Sequence, residues 1–446
     1  MKRLIEKKLL QWKDKNNRKP LILNGARQVG KTYLLKQFGK ENFNNCHYLD
    51  FENMKNSLEN VFNGPTLDPV EIIKKLEFIV DKKIDIKNDL LIFDEIQSIP
   101  RAITSLKYFN QNLAALAVVA AGSNLGVAMS ENPFPVGKVE IMTLYPLNFE
   151  EFLIGTEQVA GADFIKNYSG EPIAQLYHQK LLELLKIYFV TGGLPESIEV
   201  YKQTDSLVEV RSFQKQLLLH YQNDFSKYAG YTNSRHIDRI FTSIPRQLKA
   251  IYDGTQQKYR FKNIISKGYR KYADLADPIN WLTKSGLALK TNINENPDVP
   301  LQSGIIENSF KLYLFDVGLL GVMNNLTPEK ILLHNYGTYK GYFAENFILQ
   351  ELYSYDYSSI VTWYGRTSEV EFVAEVDDSI IPIEVKSGNN TKAKSLIAYI
   401  QKFSPDYAVK FTSNTFSFDS LKNTFNYPLY LVSKFPELSA RPVRQK

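Results

Sequence analysis

The stretch Leu21-Ile22-Leu23-Asn24-Gly25-Ala26-Arg27-Gln28-Val29-Gly30-Lys31-Thr32 constrains this chain more than any other, because it reads as a buried strand running straight into a phosphate-binding turn. It fits the pattern G-x-x-x-x-G-K-[ST] without a gap. Glycines at both ends let backbone N–H groups close on phosphate oxygens, a lysine reaches the β and γ phosphates, and a hydroxyl ligates Mg2+. Gly25, Gly30, Lys31 and Thr32 are expected in those roles, with Ala26, Arg27, Gln28, Val29 and Tyr33 completing the nucleotide contacts. From Tyr33 to Phe38 the chain continues as an amphipathic helix whose positive end faces the anion.

A chain of 446 residues is too long for one hydrophobic core and is expected to divide into about two to four domains. With 27 Tyr and 27 Phe it can bury real cores, which excludes a disordered chain. The lone cysteine, Cys46, excludes an internal disulfide and a cysteine-based zinc site and points to a reducing compartment, the cytoplasm. The opening Met1-Lys2-Arg3-Leu4-Ile5-Glu6-Lys7-Lys8 lacks the apolar core of a signal peptide, and no apolar run approaches bilayer length, so no membrane partner is expected. A formal charge of +6 permits contact with nucleic acid without demanding it. Residues 2–18 suit a short amphipathic helix with a solvated basic face.

Downstream of the loop, strand and helix alternate. Cys46–Glu52 reads as a second strand and residues 70–83 as a helix. Asp89-Leu90-Leu91-Ile92-Phe93-Asp94-Glu95 is an apolar strand ending in two carboxylates, the pattern of a central parallel strand with an active edge at its carboxyl end. Asp94 is expected to hold Mg2+ together with Thr32, and Glu95, with Lys31 the catalytic pair, to orient and polarise an attacking water. Ala114–Ala121 is a further buried strand, and Ser123 and Asn124 at its end stand where a γ-phosphate or lytic water can be sensed.

These blocks, with Leu144–Leu153, Gly192-Gly193-Leu194-Pro195-Glu196 and Pro382-Ile383-Glu384-Val385-Lys386-Ser387-Gly388, resemble the archaeal and bacterial AAA-type ATPases that carry a C-terminal domain of unknown function with a nuclease-like fold. The family usually has Gly-Arg where Gly137-Lys138 stands here, and lysine cannot reproduce the planar fork of an arginine finger. The resemblance implies an α/β chain with an AAA-type P-loop ATPase domain over 1–153, a helical lid over 154–238, a winged-helix domain over 239–335 and a PD-(D/E)XK-like α/β domain over 336–446. It also implies ATP and Mg2+ as cofactors, the choice of ATP over GTP resting on the resemblance alone.

Residues 151–235 are rich in Leu and Tyr at helical spacing, and His178 and His220 within them are expected on helix surfaces without chemistry. A helix at Arg239–Tyr252, a strand at Phe261–Ile264, a helix at Tyr269–Ser285 and strands at Leu287–Ile293 and Phe310–Phe315 make the winged-helix pattern. Lys267, Arg270, Lys271 and Lys284, with Tyr272 interleaved, can then face DNA phosphates; the alternative is a solvated helix face on a protein-docking domain. From about Gly341 a helix is followed by strands at Ile360–Tyr364, Val370–Ala374 and Ile380–Lys386. Glu345, Glu371, Glu384 and Lys386 match the helix acid, the strand acid and the Glu-x-Lys pair of such nucleases, although Glu371 replaces the family's aspartate. Glu384 and Lys386, two apart on one strand, project from one face.

Three functions are compatible with these residues. One is a Mg2+-dependent ATPase that switches its appended domains; the second is an ATP-regulated DNA endonuclease; the third is a non-catalytic, nucleotide-dependent module that binds DNA or protein. The expected partners are ATP, DNA, and a protein partner or second copy of the chain.

Overall fold

The structure, a computed structural model, describes residues 1–123, 125, 134–254, 256–261, 264, 272–333, 339–366, 368–387 and 393–439. It divides into two compact units, Lys2–Tyr145 with Lys284–Gly286, and Met1 and Pro146–Thr283 with Leu287–Lys446. The first unit alternates strand and helix as α1 (Glu6–Lys13), β1 (Leu21–Asn24), α2 (Lys31–Asn42), β2 (Cys46–Asp50), α3 (Lys55–Phe62), α4 (Pro69–Val80), β3 (Leu90–Asp94), α5 (Pro100–Asn112), β4 (Ala117–Ala121) and β5 (Glu140–Thr143). Its strands form one parallel sheet in the order β2-β3-β4-β1-β5. β3 and β4 are buried along their whole length, as central strands covered on both faces must be. Because β4 lies between β1 and β3, the carboxyl ends of three strands share one sheet edge, where open α/β sheets bind their ligands.

Aromatic packing fixes that edge from below. The Phe93 ring lies 5.1 Å from Phe51, 5.7 Å from Phe62 and 6.0 Å from Phe109. Each of these buried rings contributes on the order of 2–3 kcal/mol by leaving water, so the β3 end carrying Asp94 is anchored by a cluster of buried rings. Helix α1 buries Leu9 and Trp12 completely. The basic face of its segment is not simply solvated, however: Arg3 is buried, donating from Nη1 to Val29 O at 2.9 Å and from Nη2 to Tyr145 O at 2.6 Å.

The second unit begins with helices α6 (Phe149–Gly155), α7 (Val159–Asn167), α8 (Gln175–Thr191), α9 (Pro195–Thr204) and α10 (Leu207–Tyr252). Asn148 caps α6 by accepting from the Glu151 amide at 2.9 Å, while Glu151 accepts from the Asn148 amide at 3.2 Å, a reciprocal capping box. The Gly192-Gly193 pair is structural. Gly193 donates its N–H to Asp316 Oδ2 at 2.7 Å and accepts from the Leu147 amide at 2.6 Å, and a Cβ on it would lie 2.0 Å from Leu147 O.

Then follow α11 (Ala276–Lys284), β6 (Ala288–Asn294), β7 (Ile306–Leu314), α12 (Val317–Met323), α13 (Pro328–Leu332), α14 (Tyr339–Ser354), β8 (Ile360–Tyr364), β9 (Glu369–Val376), β10 (Ser379–Lys386), α15 (Lys394–Phe403), β11 (Ala408–Thr412), β12 (Ser417–Asp419) and β13 (Thr424–Pro428). The strands form one mixed sheet, β12-β13-β11-β10-β9-β8-β6-β7. Within it, α14-β8-β9-β10-α15-β11 runs with antiparallel β8-β9-β10 pairing followed by a parallel crossover from β10 to β11.

Several sequence expectations change here. Helix α10 runs unbroken through the expected boundary at 238/239 because Ile237, Ile240, Phe241 and Ile244 continue its buried stripe. The two strands expected as a wing are instead the last pair of the eight-stranded sheet, β6 joining β8 in parallel. Tyr272 is engaged in packing, its hydroxyl donating to Glu307 at 3.1 Å and its ring against Phe261 and Phe310, so it is not interleaved in a free basic face. Lys284 is exposed, while Lys267, Arg270, Lys271 and Asn124 lie outside the described residues.

His178 departs from the surface as well. It is buried, its Nε2 donating to Ser413 O at 2.9 Å, which leaves Nδ1 to accept from the Tyr430 hydroxyl at 2.8 Å. His220 is exposed as expected.

Candidate nucleotide site

The turn after β1 takes the conformations its sequence was chosen to allow. Gly25 has φ +152°, Gln28 φ +67° and Gly30 φ +93°, so the backbone curls round a concavity before α2 begins at Lys31. A Cβ on Gly25 would lie 2.3 Å from Leu144 O, which leaves glycine alone at that point. Ala26 and Val29 turn their side chains inward and are buried, so they offer the site only their backbone. Tyr33 is 60% exposed in the first turn of α2.

Lys31 is buried, and its Nζ donates to Gly25 O and Ala26 O, each at 2.8 Å. Burial pushes its ammonium down to about 8, against the opposing pull of Glu95 and Asp94. The charge is therefore held by loop carbonyls and by two acids across the concavity. A phosphate placed there meets a desolvated cation and the free N–H end of α2 together.

Thr32 Oγ1 donates to Asp94 Oδ2 at 2.6 Å, which brings two hard oxygen ligands together at the mouth of the loop. That donor pair suits Mg2+. The same Asp94 oxygen accepts from the Tyr48 hydroxyl at 3.0 Å, and Oδ1 accepts from the Glu95 amide at 3.1 Å. Burial first, and then the Asp94 charge, push the Tyr48 hydroxyl well above the usual tyrosine range, so it stays a donor. Tyr48 sits on β2 opposite β3 and carries Lys36 over its ring at 3.5 Å.

Glu95 leaves β3 in the left-handed region, φ +50° and ψ +41°, a strained turn for a non-glycine residue of the kind that gathers at functional sites. Its carboxylate accepts from Gln97 Nε2 and, at 3.4 Å, from Ser123 Oγ at the end of β4. Arg27 Nε reaches the same Ser123 oxygen at 3.4 Å and its guanidinium lies 3.9 Å from Glu52. The structure thus brings together Lys31, Thr32, Asp94, Glu95, Arg27 and Ser123. Sequence reasoning missed three supports: Tyr48, Gln97 and Arg3, whose hydrogen bond to Val29 O braces the loop. Tyr48 carried a signal, as the alternate residue before Asp50 on the strand beside β3.

A second cluster lies on the mixed sheet. Lys386 Nζ stands 2.7 Å from Glu384 Oε1 and 3.0 Å from Glu371 Oε1, and the Val385 amide donates to Glu371 Oε2 at 3.2 Å. Burial and the neighbouring Glu371 push the Glu384 carboxyl up, and burial does the same to Glu345 on α14. Lys311 of β7 is fully buried and paired with Glu369. It went unnoticed in the sequence because its strand reads as a wing.

The strand order, the left-handed loop and the convergence of Lys31, Thr32 and Asp94 define a P-loop nucleotide-binding fold in the first unit. Residues 17–153 match a family model described as an AAA domain. Residues 182–330 and 340–430 match the models of two domains of unknown function. No curated protein matches the chain. Among solved structures, a Walker-type ATPase of Pyrococcus abyssi is 15% identical over 72% of this chain and 95% of its own, with a TM-score of 0.44. Drosophila ORC bound to DNA is 12% identical over 72% of this chain and 94% of that one, TM-score 0.28, and the Aeropyrum pernix ORC1 protein in complex with DNA 12% over 72% and 90%, TM-score 0.27. Likenesses this loose say nothing of activity. Among the described residues no helix is long and apolar enough to cross a membrane.

Proposed function

We propose that the first unit binds ATP with Mg2+ and hydrolyses it, and that the bound nucleotide switches the state of the appended segments. The carrying observation is Thr32 Oγ1 on Asp94 Oδ2 at 2.6 Å beside a buried Lys31, with Glu95 held at the same sheet edge. In this reading the loop amides from Gly25 to Thr32 and the Lys31 ammonium take the β and γ phosphates, and Thr32 and Asp94 hold the metal. Glu95 orients the attacking water, and Ser123, bonded to Glu95 and Arg27, lies where it can register the γ-phosphate. Lys31→Ala then removes nucleotide binding, whereas Glu95→Gln binds nucleotide and loses about 100-fold or more in turnover. Turnover equal to wild type in both variants, measured by phosphate release, overturns the assignment.

A second reading concerns the mixed sheet. Its α14-β8-β9-β10-α15-β11 order and the meeting of Glu371, Glu384 and Lys386 support a PD-(D/E)XK-like domain over residues 336–446. The bridging position of Lys386 favours a domain that docks DNA or a protein partner over one that cuts. Nicking of single-stranded, duplex or branched DNA with Mg2+ or Mn2+ and ATP, abolished in Glu384→Ala, would restore the endonuclease.

A further inference from the structure

The acids of the mixed sheet are closed to a divalent cation by the chain's own ammonium. Lys386 Nζ contacts Glu384 Oε1 and Glu371 Oε1 at 2.7 and 3.0 Å, and so occupies the space between the two strands' carboxylates that a metal would take. The acids beneath are almost sealed, Glu384 1% and Glu371 7% exposed, whereas the Lys386 side chain keeps 30% of its surface. Solvent therefore meets the ammonium first. The second oxygen of Glu371 is also engaged, accepting from the Val385 amide at 3.2 Å.

The remaining acids do not rescue a metal site. Glu369 is taken by Lys311, a fully buried lysine from β7, and the strongest charge acting on Glu345 is that same lysine. Among the described residues no three carboxylate, histidine or cysteine groups come together to hold a metal. Glu384 Oε2 alone of the pair's four oxygens is buried without a hydrogen-bond partner. Mg2+ wants several oxygens at short range and dehydrates reluctantly, and the other three already face an ammonium or an amide, so the residues as arranged do not fit a divalent ion.

We propose that Lys386 is the resident cation of this cluster, excluding Mg2+ and Mn2+ from the Glu371–Glu384 pair. The two lysines, one from the Glu-x-Lys strand and one from a strand outside the α14-to-β11 segment, turn a nuclease-like acid group into a metal-free ion-pair cluster. The proposal deepens the docking reading and rests on it only for the fold. Loss of partner binding would end that reading, whereas metal binding by the wild type ends this one.

The test is Mn2+ titration of the full chain without nucleotide, with free Mn2+ followed by its EPR signal. Wild type and Glu384→Gln bind Mn2+ alike, which cancels any contribution from the Asp94 site. Lys386→Met gains one Mn2+ per chain that the wild type lacks, and Lys386→Met combined with Glu384→Gln loses it. A wild-type Mn2+ that disappears in Glu384→Gln overturns the proposal, as does a folded Lys386→Met chain with wild-type stoichiometry. If Lys386→Met does not fold, the comparison of wild type with Glu384→Gln decides by itself.

Discussion

The chain contains two lysine–carboxylate sites built on opposite principles. At the sheet edge of the first unit, Lys31 is held by two loop carbonyls, and Asp94 is held by hydroxyls and an amide, so neither neutralises the other by contact. In the mixed sheet, Lys386 touches both acids directly. Neutral donors orient a carboxylate and leave its charge for an incoming cation, whereas a bridging ammonium consumes it. The same residue types thus give a site open to a charged ligand and a site whose acids already share an ammonium.

The largest test of this contrast uses glycines. In Gly25→Ala a Cβ 2.3 Å from Leu144 O must displace the loop, and nucleotide affinity is expected to fall by two orders of magnitude or more, roughly the scale of losing an aligned oxyanion donor. In Gly193→Ala the clash with Leu147 O falls on structural hydrogen bonds of the second unit, and the loss is expected in stability, about 3 kcal/mol or more by chemical denaturation. If Gly193→Ala weakens nucleotide binding as much as Gly25→Ala does, the role of Gly193 is not structural alone.

A smaller effect sharpens the role of neutral donors. Tyr48→Phe removes one of the two hydroxyls on Asp94 Oδ2, worth about 1 kcal/mol, or about fivefold. The change belongs to the Mg2+-dependent part of nucleotide affinity, and affinity measured in EDTA stays at the wild-type value. An equal loss with and without Mg2+ would make Tyr48 merely structural.

Smaller again is the pH response of His178. Burial holds its imidazole below the ordinary histidine value, so the folded chain binds fewer protons there than the unfolded one. The stabilisation is whole above about 6.5, the unfolded value, and is lost as the pH falls from there through the lower folded value. The melting temperature of wild type should therefore drop between pH 7.5 and 5.5 more than that of His178→Asn. Smallest of all is Lys386→Ala in ATP turnover, expected within about twofold of wild type because its charge serves only the second cluster.

The P-loop, the Asp94-Glu95 strand end and the alternation of the first unit were legible because each is a local rule. Glycines mark left-handed turns, and a run such as Leu90–Phe93 with acids after it marks a buried strand meeting the sheet edge. The helix-and-three-strand order after Gly341 was legible for the same reason, as was the shared face of Glu384 and Lys386. Strand partnership was not. A hairpin such as β6-β7 alternates in the same way whether it stands free or joins β8, since pleat period encodes faces and not neighbours.

What the chain's own order determined is therefore where the glycine-framed turn, the Thr32 hydroxyl and the Asp94-Glu95 strand end occur. What only the tertiary structure decided is which charges meet across distant segments: Arg3 on Val29, Tyr48 on Asp94, Lys311 on Glu369, and Lys386 on two glutamates at once. A side chain's type and spacing state what it can offer. Whether that offer is already taken depends on contacts of a few ångströms between residues far apart in the chain, where the energy of a buried charge turns on its nearest partner.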